Sequence, residues 1–410
     1  MQLTNFISLL SLIVAVTAYP FMANYDKMTE VEKREFTETY RRMAKRSAAE
    51  ISSKYPYTGA KNDGLPGTQV GNVLVPAVGD TDHQYQDPPA GAFRGPCPGL
   101  NAAANHGFLS RDGIVTFNEL VQAQQNVYNV GYDLAVVLAT LGVGLDGDLI
   151  TTKLSLGGDA TSQTSALGGS REGGLATHNK FEADASLTRS DYFLNNGDNY
   201  SFNGTLFGFM TTTCNKVFDR ACMTKYRAQR YEQSKADNGQ FVFLPTALLL
   251  YGASSFLYEL MPTNGGGPDF ATISTFFGAK DNGDGTYSHV PERIPDNWFN
   301  RASPYTLTDV NNEINAQYLA SPVLFGFNAG YQNFLALNTT TGIVNGKFSP
   351  NTANDVACVI QQAVLAAIPS TIQGFITSPL TALAGIAGRI NPIFSQTFGC
   401  PAVTAGVPLV

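Results

Sequence analysis

The apolar residues of this chain fall into helical segments separated by long stretches with no period. Thr116-Phe117-Asn118-Glu119 forms a capping box, in which a threonine and a glutamate three residues on close the first turn of a helix. Phe117, Leu120, Val121, Val127 and Tyr128 then recur at the spacing of one helix face. Leu134 to Leu141 is almost wholly apolar, as in a buried helix, and Gly142 and Gly144 predict its end. Gly157 to Gly174 is rich in glycine, serine and threonine and reads as a surface loop. Further helices are predicted over Leu206–Thr213, Phe218–Lys235, Leu244–Leu260, Leu307–Leu319 and Asp355–Ala367. No strand alternation is sustained and no strand–helix repeat occurs. The fold class is therefore mainly α, in a single multi-helix domain.

The two ends of the chain break this pattern differently. Phe6 to Ala18 is an apolar run too short to span a bilayer and ends in small residues, so residues 1–18 read as a secretory signal peptide. Lys27 to Glu50 holds twelve charged residues, and the dibasic pair Lys45-Arg46 marks residues 19–46 as a propeptide. The mature domain is then 47–410, beginning with an extended, Gly- and Pro-rich arm from Ser47 to Gly95. Ala363 to Ile390 is apolar but broken by Pro369 and Pro379, which fits packed amphipathic helices better than a membrane span. The formal charge is −7. Residues 1–46 carry seven basic and five acidic side chains, so their removal makes it −9. An acidic surface gives no electrostatic reason to bind nucleic acid or an anionic membrane.

Several motifs fail on their context. Gly142-Val143-Gly144-Leu145-Asp146-Gly147 follows a helix rather than a strand, which excludes a dinucleotide fingerprint. Asp281-Asn282-Gly283-Asp284-Gly285 lacks the ligand spacing of a calcium loop and reads as a turn. The four histidines show no paired metal-ligand spacing, and no Gly-x-Ser-x-Gly elbow is present. Asn199, Asn203 and Asn338 open glycosylation sequons, which matter only in an exported chain.

The strongest chemical signal is one cysteine between two prolines, Gly95-Pro96-Cys97-Pro98-Gly99-Leu100-Asn101. The prolines fix the backbone on both sides, and the helix-forming residues after Gly99 place Cys97 just before a helix N-terminus. Unpaired N–H groups there favour a thiolate, which is what a soft metal or haem iron takes as an axial ligand. Five cysteines suit an exported protein with one functional thiolate and two bridges. Cys214 and Cys222 read equally well as a bridge or as two buried thiols.

Three segments together, Arg94–Leu109, the Asp148-Leu149-Ile150-Thr151 turn and Phe181–Arg189 (FEADASLTR), resemble the fungal haem-thiolate peroxidases. That family comprises the chloroperoxidases and unspecific peroxygenases. The resemblance implies a multi-helix fold around a buried haem b, with Cys97 as both catalytic residue and iron ligand. It implies a Mg²⁺ beside a haem propionate, held by Glu182, the Ala183 carbonyl and Ser186. Phe181 and Phe256 fall at apolar pocket positions, with Tyr128 and Val130 as further candidates. A C-terminal bridge like the family's would pair Cys358 with Cys400. The implied function is a secreted peroxidase or peroxygenase that uses hydrogen peroxide to oxidise or oxygenate a small organic substrate.

One motif departs from the family. The resemblance implies a glutamate after Tyr251-Gly252, which moves the peroxide proton, and an arginine seven residues before it. Ala253 and Thr246 stand there. Glu259, six residues beyond Ala253, lies about 120° further round a helix and faces elsewhere. The alternative function is therefore a haem-binding protein with a repurposed distal pocket and little peroxide-cleaving activity.

Overall fold

In the computed structural model the described residues are 57–60, 64–164, 173–178, 180, 183–339, 342–367 and 379–404. They form a mainly helical assembly around one continuous apolar core. The first helix, α1 (Pro98–Asn105), starts directly after Cys97. A short strand β1 (Ile114–Thr116) leads into α2 (Phe117–Tyr128), whose capping box is present: Glu119 Oε2 accepts from the Thr116 N–H at 2.8 Å. Asn129, in the left-handed region at φ 53°, turns the chain into α3 (Tyr132–Leu141).

The predicted stop at Gly142 is not a stop. The helix runs on as a π turn, Gly142–Asp146, before β2 (Lys153–Ser155) pairs antiparallel with β1. The turn is closely packed: a Cβ on Gly144 would lie 3.0 Å from the Ile386 side chain, which would have to shift by a few tenths of an ångström. The loop predicted from 157 contains one turn of helix, α4 (Thr161–Thr164), and residues 165–172 fall outside the described set.

The later helices are α5 (Gly204–Thr213), α6 (Arg220–Asp237), α7 (Leu249–Glu259), α8 (Phe270–Phe277), α9 (Leu307–Ala320), α10 (Ala353–Ala366) and α11 (Pro379–Phe398). Five lie close to their predicted places; α8 was not predicted, and α11 starts inside the Ala363–Ile390 stretch read as packed helices. Side-chain caps at Asn203, Asp219 and Thr352 set three of the starts two residues from where apolar spacing alone put them, while the helix capped by Thr306 starts at Leu307 as predicted. The segment read as one helix from Leu244 is divided. Val242–Phe243 is strand β3, Pro245–Leu248 is a 3₁₀ turn, and the α-helix proper begins at Leu249. Pro245 explains the division, because it fits the first turn of a helix and not its interior.

Among the described residues antiparallel strand pairing is confined to small sheets, the largest being β3 with β4 (Gly326–Asn328) and β5 (Phe334–Ala336). Asp281 and Asp284 make the side-chain turns of a hairpin, as their spacing predicted. The arm before Gly95 has no helix over its described residues. It lies against residues 298–302, with the Val75 N–H donating to Trp298 O at 2.9 Å and the Asn300 N–H to Val73 O at 3.1 Å. Among the described residues no helix is long and apolar enough to cross a membrane.

Helix α7 packs between α6 and α9, α9 packs on α10, and α11 lies across α10 and α3. Two disulfides tie this arrangement. Cys214–Cys222 joins the end of α5 to the first turn of α6, and Cys358–Cys400 joins α10 to the segment after α11. Both pairings stood as alternatives or implications in the sequence, and both are present. The bridges span sequence separations of 8 and 42 residues. Loop closure then gives the longer bridge about 4 kcal/mol and the shorter about 2.5 kcal/mol. Paired Cys→Ser variants in urea unfolding should show that order, and a larger loss for Cys214/Cys222 would contradict it.

Candidate active site

Cys97 caps α1 with extended backbone (φ −88°, ψ 104°), and its carbonyl accepts the Asn101 N–H at 3.1 Å. It is the cysteine outside both disulfides. Helix α1 starts directly after it, and the positive end of the helix dipole favours negative charge on Sγ.

The loop that carries it is fastened from four directions. Asn101 brackets Gly95, accepting its N–H at 3.1 Å and donating to its carbonyl at 2.9 Å. The same Asn101 Nδ2 donates to Glu292 Oε1 at 2.9 Å. Arg189 Nε donates to Pro96 O at 3.1 Å, and its guanidinium lies 3.8 Å from Glu292 Oε1. Tyr128 Oη donates to Gly99 O at 2.6 Å. Gly95 itself admits no side chain, since a Cβ would stand 1.8 Å from Leu156 O. Glu292 is only 2 % exposed. A carboxylate so buried costs several kcal/mol of desolvation, which Asn101 and Arg189 offset.

Arg189 is held by its own segment. Ala185 adopts a left-handed conformation at φ 64°, strained for a residue with a Cβ. Asp191 sustains it: one oxygen accepts the Ala185 N–H at 3.1 Å and lies 3.3 Å from Arg230 Nη2. Its other oxygen accepts from Ser234 and Asn238. Arg230 Nε also donates to Ser186 O at 2.8 Å.

Cys97 opens on a cavity of about 290 Å³. Its walls come from the cysteine loop, α2, α3, the 186–189 segment, α6, α7 and the C-terminal helices α9, α10 and α11. They are mostly leucine, isoleucine and valine. Of the residues singled out in the sequence, Cys97, Tyr128, Val130, Ser186, Ala253 and Phe256 line it together. Ala183 is partly buried against the core but does not belong to the wall, and Thr246 sits on the 3₁₀ turn, off the wall. Phe181 and Glu182 lie outside the described residues, and so does any ligand set built on them.

The electrostatics of the wall are unusual in one respect. Arg189 and Arg227 are both about 2 % exposed and line the cavity, while no described lining residue is an aspartate, glutamate or histidine. Glu259, as its helical phase predicted, is turned away and pairs with Arg301 at 2.7 Å. Burial, helped by the nearby Cys97, raises Tyr128 well above the usual phenol range, so it stays a neutral donor to Gly99. This set of groups fits a thiolate-bound haem: a fixed sulfur, apolar walls for the ring and buried cations for its carboxylates.

Sequence reasoning missed Glu292, Arg227 and the positioning role of Asn101. Asn101 lay within the quoted cysteine motif and was the one available signal. Glu292 is nearly two hundred residues from the cysteine and carried none.

His106 caps the far end of α1. Its Nδ1 is 3.0 Å from His83 O and its Nε2 accepts the Ile294 N–H at 3.1 Å, so the ring is held neutral. Burial pulls its pKa from 6.5 down to about 4. Unfolded chains therefore take up a proton between those values that the folded protein refuses. Stability is complete above pH 6.5 and falls as the pH drops toward 4, by on the order of 3 kcal/mol. Urea midpoints across pH 4–7 should decline in that window, and His106→Asn should flatten the decline. An equal slope in the variant would remove His106 as the cause.

The sequence profile of the family described as "Peroxidase, family 2" matches residues 83–303. An aromatic peroxygenase of Cyclocybe aegerita is 31 % identical over 315 residues, covering 74 % of this chain and 79 % of that protein. An aromatic peroxygenase of Coprinellus radians is 38 % identical over 188 residues, 44 % of this chain and 71 % of the relative. The dothistromin biosynthesis peroxidase of Dothistroma septosporum is 27 % identical over 355 residues, 82 % and 84 % of the two chains.

Proposed function

The chain belongs to the fungal haem-thiolate, chloroperoxidase-like peroxidase family, and we propose that Cys97 is its iron ligand. Its activity is that of an oxidoreductase of the peroxidase or peroxygenase type, using peroxide. The observation that carries the proposal is the pinned position of Cys97 at the start of α1, facing the cavity. Haem b bound there would supply peroxide cleavage and the oxidation or oxygenation of a small organic substrate.

The chain's own residues have separable tasks in this reading. Arg189, Asn101 and Tyr128 hold the loop so that Sγ keeps one orientation. Helix α1 stabilises its charge. Phe256, Val130 and the leucines exclude water and bind an apolar substrate. Ser186 and the Ala183 carbonyl, with Glu182, would hold a Mg²⁺ that offsets carboxylate charge.

The reading also takes the protein to be secreted, with 1–18 as signal peptide, 19–46 as propeptide and 47–410 as the mature domain. Two disulfides support an oxidising compartment. Of the sequon asparagines, Asn338 is exposed and Asn199 is 2 % exposed, so a glycan belongs on Asn338.

Peroxide proton transfer is where this chain differs. Ala253 on the wall provides no acid, and no other described lining residue replaces it. The relatives named above are peroxidases and peroxygenases, which favours a catalytic reading over a non-catalytic haem carrier. Slow peroxide cleavage is then the expected phenotype, since a missing general acid–base costs on the order of 10² to 10⁴ in rate.

Two experiments test the proposal. The purified protein, reduced under carbon monoxide, should give the red-shifted Soret band of thiolate ligation, and Cys97→Ala should lose haem or that band. An unchanged thiolate spectrum in the variant overturns the assignment. In stopped-flow mixing with peroxide, Ala253→Glu should speed the first spectral change by at least tenfold. Family-like rates already in the native protein would mean that another acid is at work.

A further inference from the structure

One solvent-facing residue touches the carboxylate that fastens the cysteine loop. His289 ends a hairpin, paired with Ala279, and Glu292 follows three residues on. The His289 side chain is 46 % exposed, and its Nε2 stands 3.4 Å from Oε1 of the buried Glu292. That same oxygen accepts from Asn101 Nδ2 at 2.9 Å and faces the Arg189 guanidinium at 3.8 Å. Three groups converge on one oxygen. Asn101 and Arg189 are buried, so His289 is the one of the three open to solvent.

A second contact runs through Phe202. Its ring stacks on the His289 imidazole with centroids 5.6 Å apart, and the Arg189 guanidinium lies 5.8 Å from its centroid. The other charged groups nearby come from several elements. Arg94 of the cysteine loop and Tyr85 of the arm both feel the Glu292 charge. Arg293 is taken up by Asp296 and the Tyr85 ring. Lys280 stands opposite Ser288 on the paired strand and is exposed. Imidazole is the side chain whose charge changes between about pH 5 and 8. Neutral, His289 leaves the Glu292 charge to Asn101 and Arg189. Protonated, it brings a positive charge to the same oxygen, competes for it, and repels Arg189 where water screens little.

We infer that His289 is a positioning residue for Cys97: its protonation weakens the hold of Glu292 on Asn101 and Arg189, and the cysteine loop loosens. The route is short. Asn101 brackets Gly95 and Arg189 Nε holds Pro96 O, so slack in either reaches the sulfur through the two residues before it. The medium thereby acts on a sulfur that faces the cavity through a side chain that faces outward. The inference rests on Cys97 as the functional sulfur, proposed above.

The test compares the haem-loaded native chain with His289→Gln, which is always neutral, and His289→Arg, which is always charged, from about pH 8 down to about pH 5. Each sample gives two readings. One is the fraction of the thiolate Soret band under carbon monoxide. The other is iodoacetamide labelling of Cys97, followed by mass spectrometry and specific because the other four cysteines are in disulfides. In the native chain the band should fall with one-proton dependence as the pH drops. Labelling relative to His289→Gln should rise about fivefold, the small end of the coupling between linked sites. That ratio, taken at each pH, cancels the titration of the thiol itself. His289→Gln should keep the band throughout, and His289→Arg should show the loosened state already at the alkaline end. Fluorescence of Trp298, the single tryptophan, checks that each sample is folded. Equal profiles in the native chain and both variants would overturn the inference, and so would labelling that falls relative to His289→Gln. If no thiolate band appears at any pH, the function proposed above fails and the labelling ratio alone decides this inference.

Discussion

The structure turns on one buried carboxylate. Glu292 comes from a loop between a hairpin and α9, yet it reaches both Asn101 in the cysteine helix and Arg189 in the segment that walls the cavity. Asn101 fixes Gly95, Arg189 fixes Pro96, and Cys97 follows them directly. Removing the carboxylate would take a buried counter-charge from the Arg189 guanidinium and an acceptor from Asn101. More than stability would suffer, because the direction of one sulfur depends on the same few contacts. A second buried carboxylate, Asp191, has the matching role a layer further out. It holds Ala185 in a conformation that the chain would not adopt unaided, and so delivers Ser186 and Arg189 to the wall.

Local physics was legible in the sequence wherever a few adjacent residues decide the outcome. The capping box at Thr116, the helix after Cys97, the turn at Asp281–Gly285 and the outward phase of Glu259 all rest on near neighbours. So does the mainly α class, since apolar spacing is repeated over many turns. Helix starts were less legible, because a polar cap such as Asn203 or Thr352 sits outside the apolar pattern that marks the helix. The division at Pro245 was available in principle and was overridden by the run of leucines after it.

What the sequence could not disclose are the partners made by folding. Glu292 and Arg189 are a hundred residues apart, and nothing local marks either as the other's counter-charge. Gly142 and Gly144 were read as helix breakers because glycine usually is one. Here their missing side chains instead let a π turn lie close against Leu154 and Ile386.

The cavity is built from two stretches of chain with different standing. Its sulfur-bearing side lies wholly within the span matched by the family profile, residues 83–303. Helices α9, α10 and α11, which contribute Asn311, Gln361, Ile390 and Phe394 to the opposite side, all begin after that span ends. The contacts that pin the sulfur, from Asn101, Tyr128, Arg189 and Glu292, all come before position 303. The pocket in front of it is thus assembled across that boundary, and it closes only when α9 packs on α7 and α11 on α3.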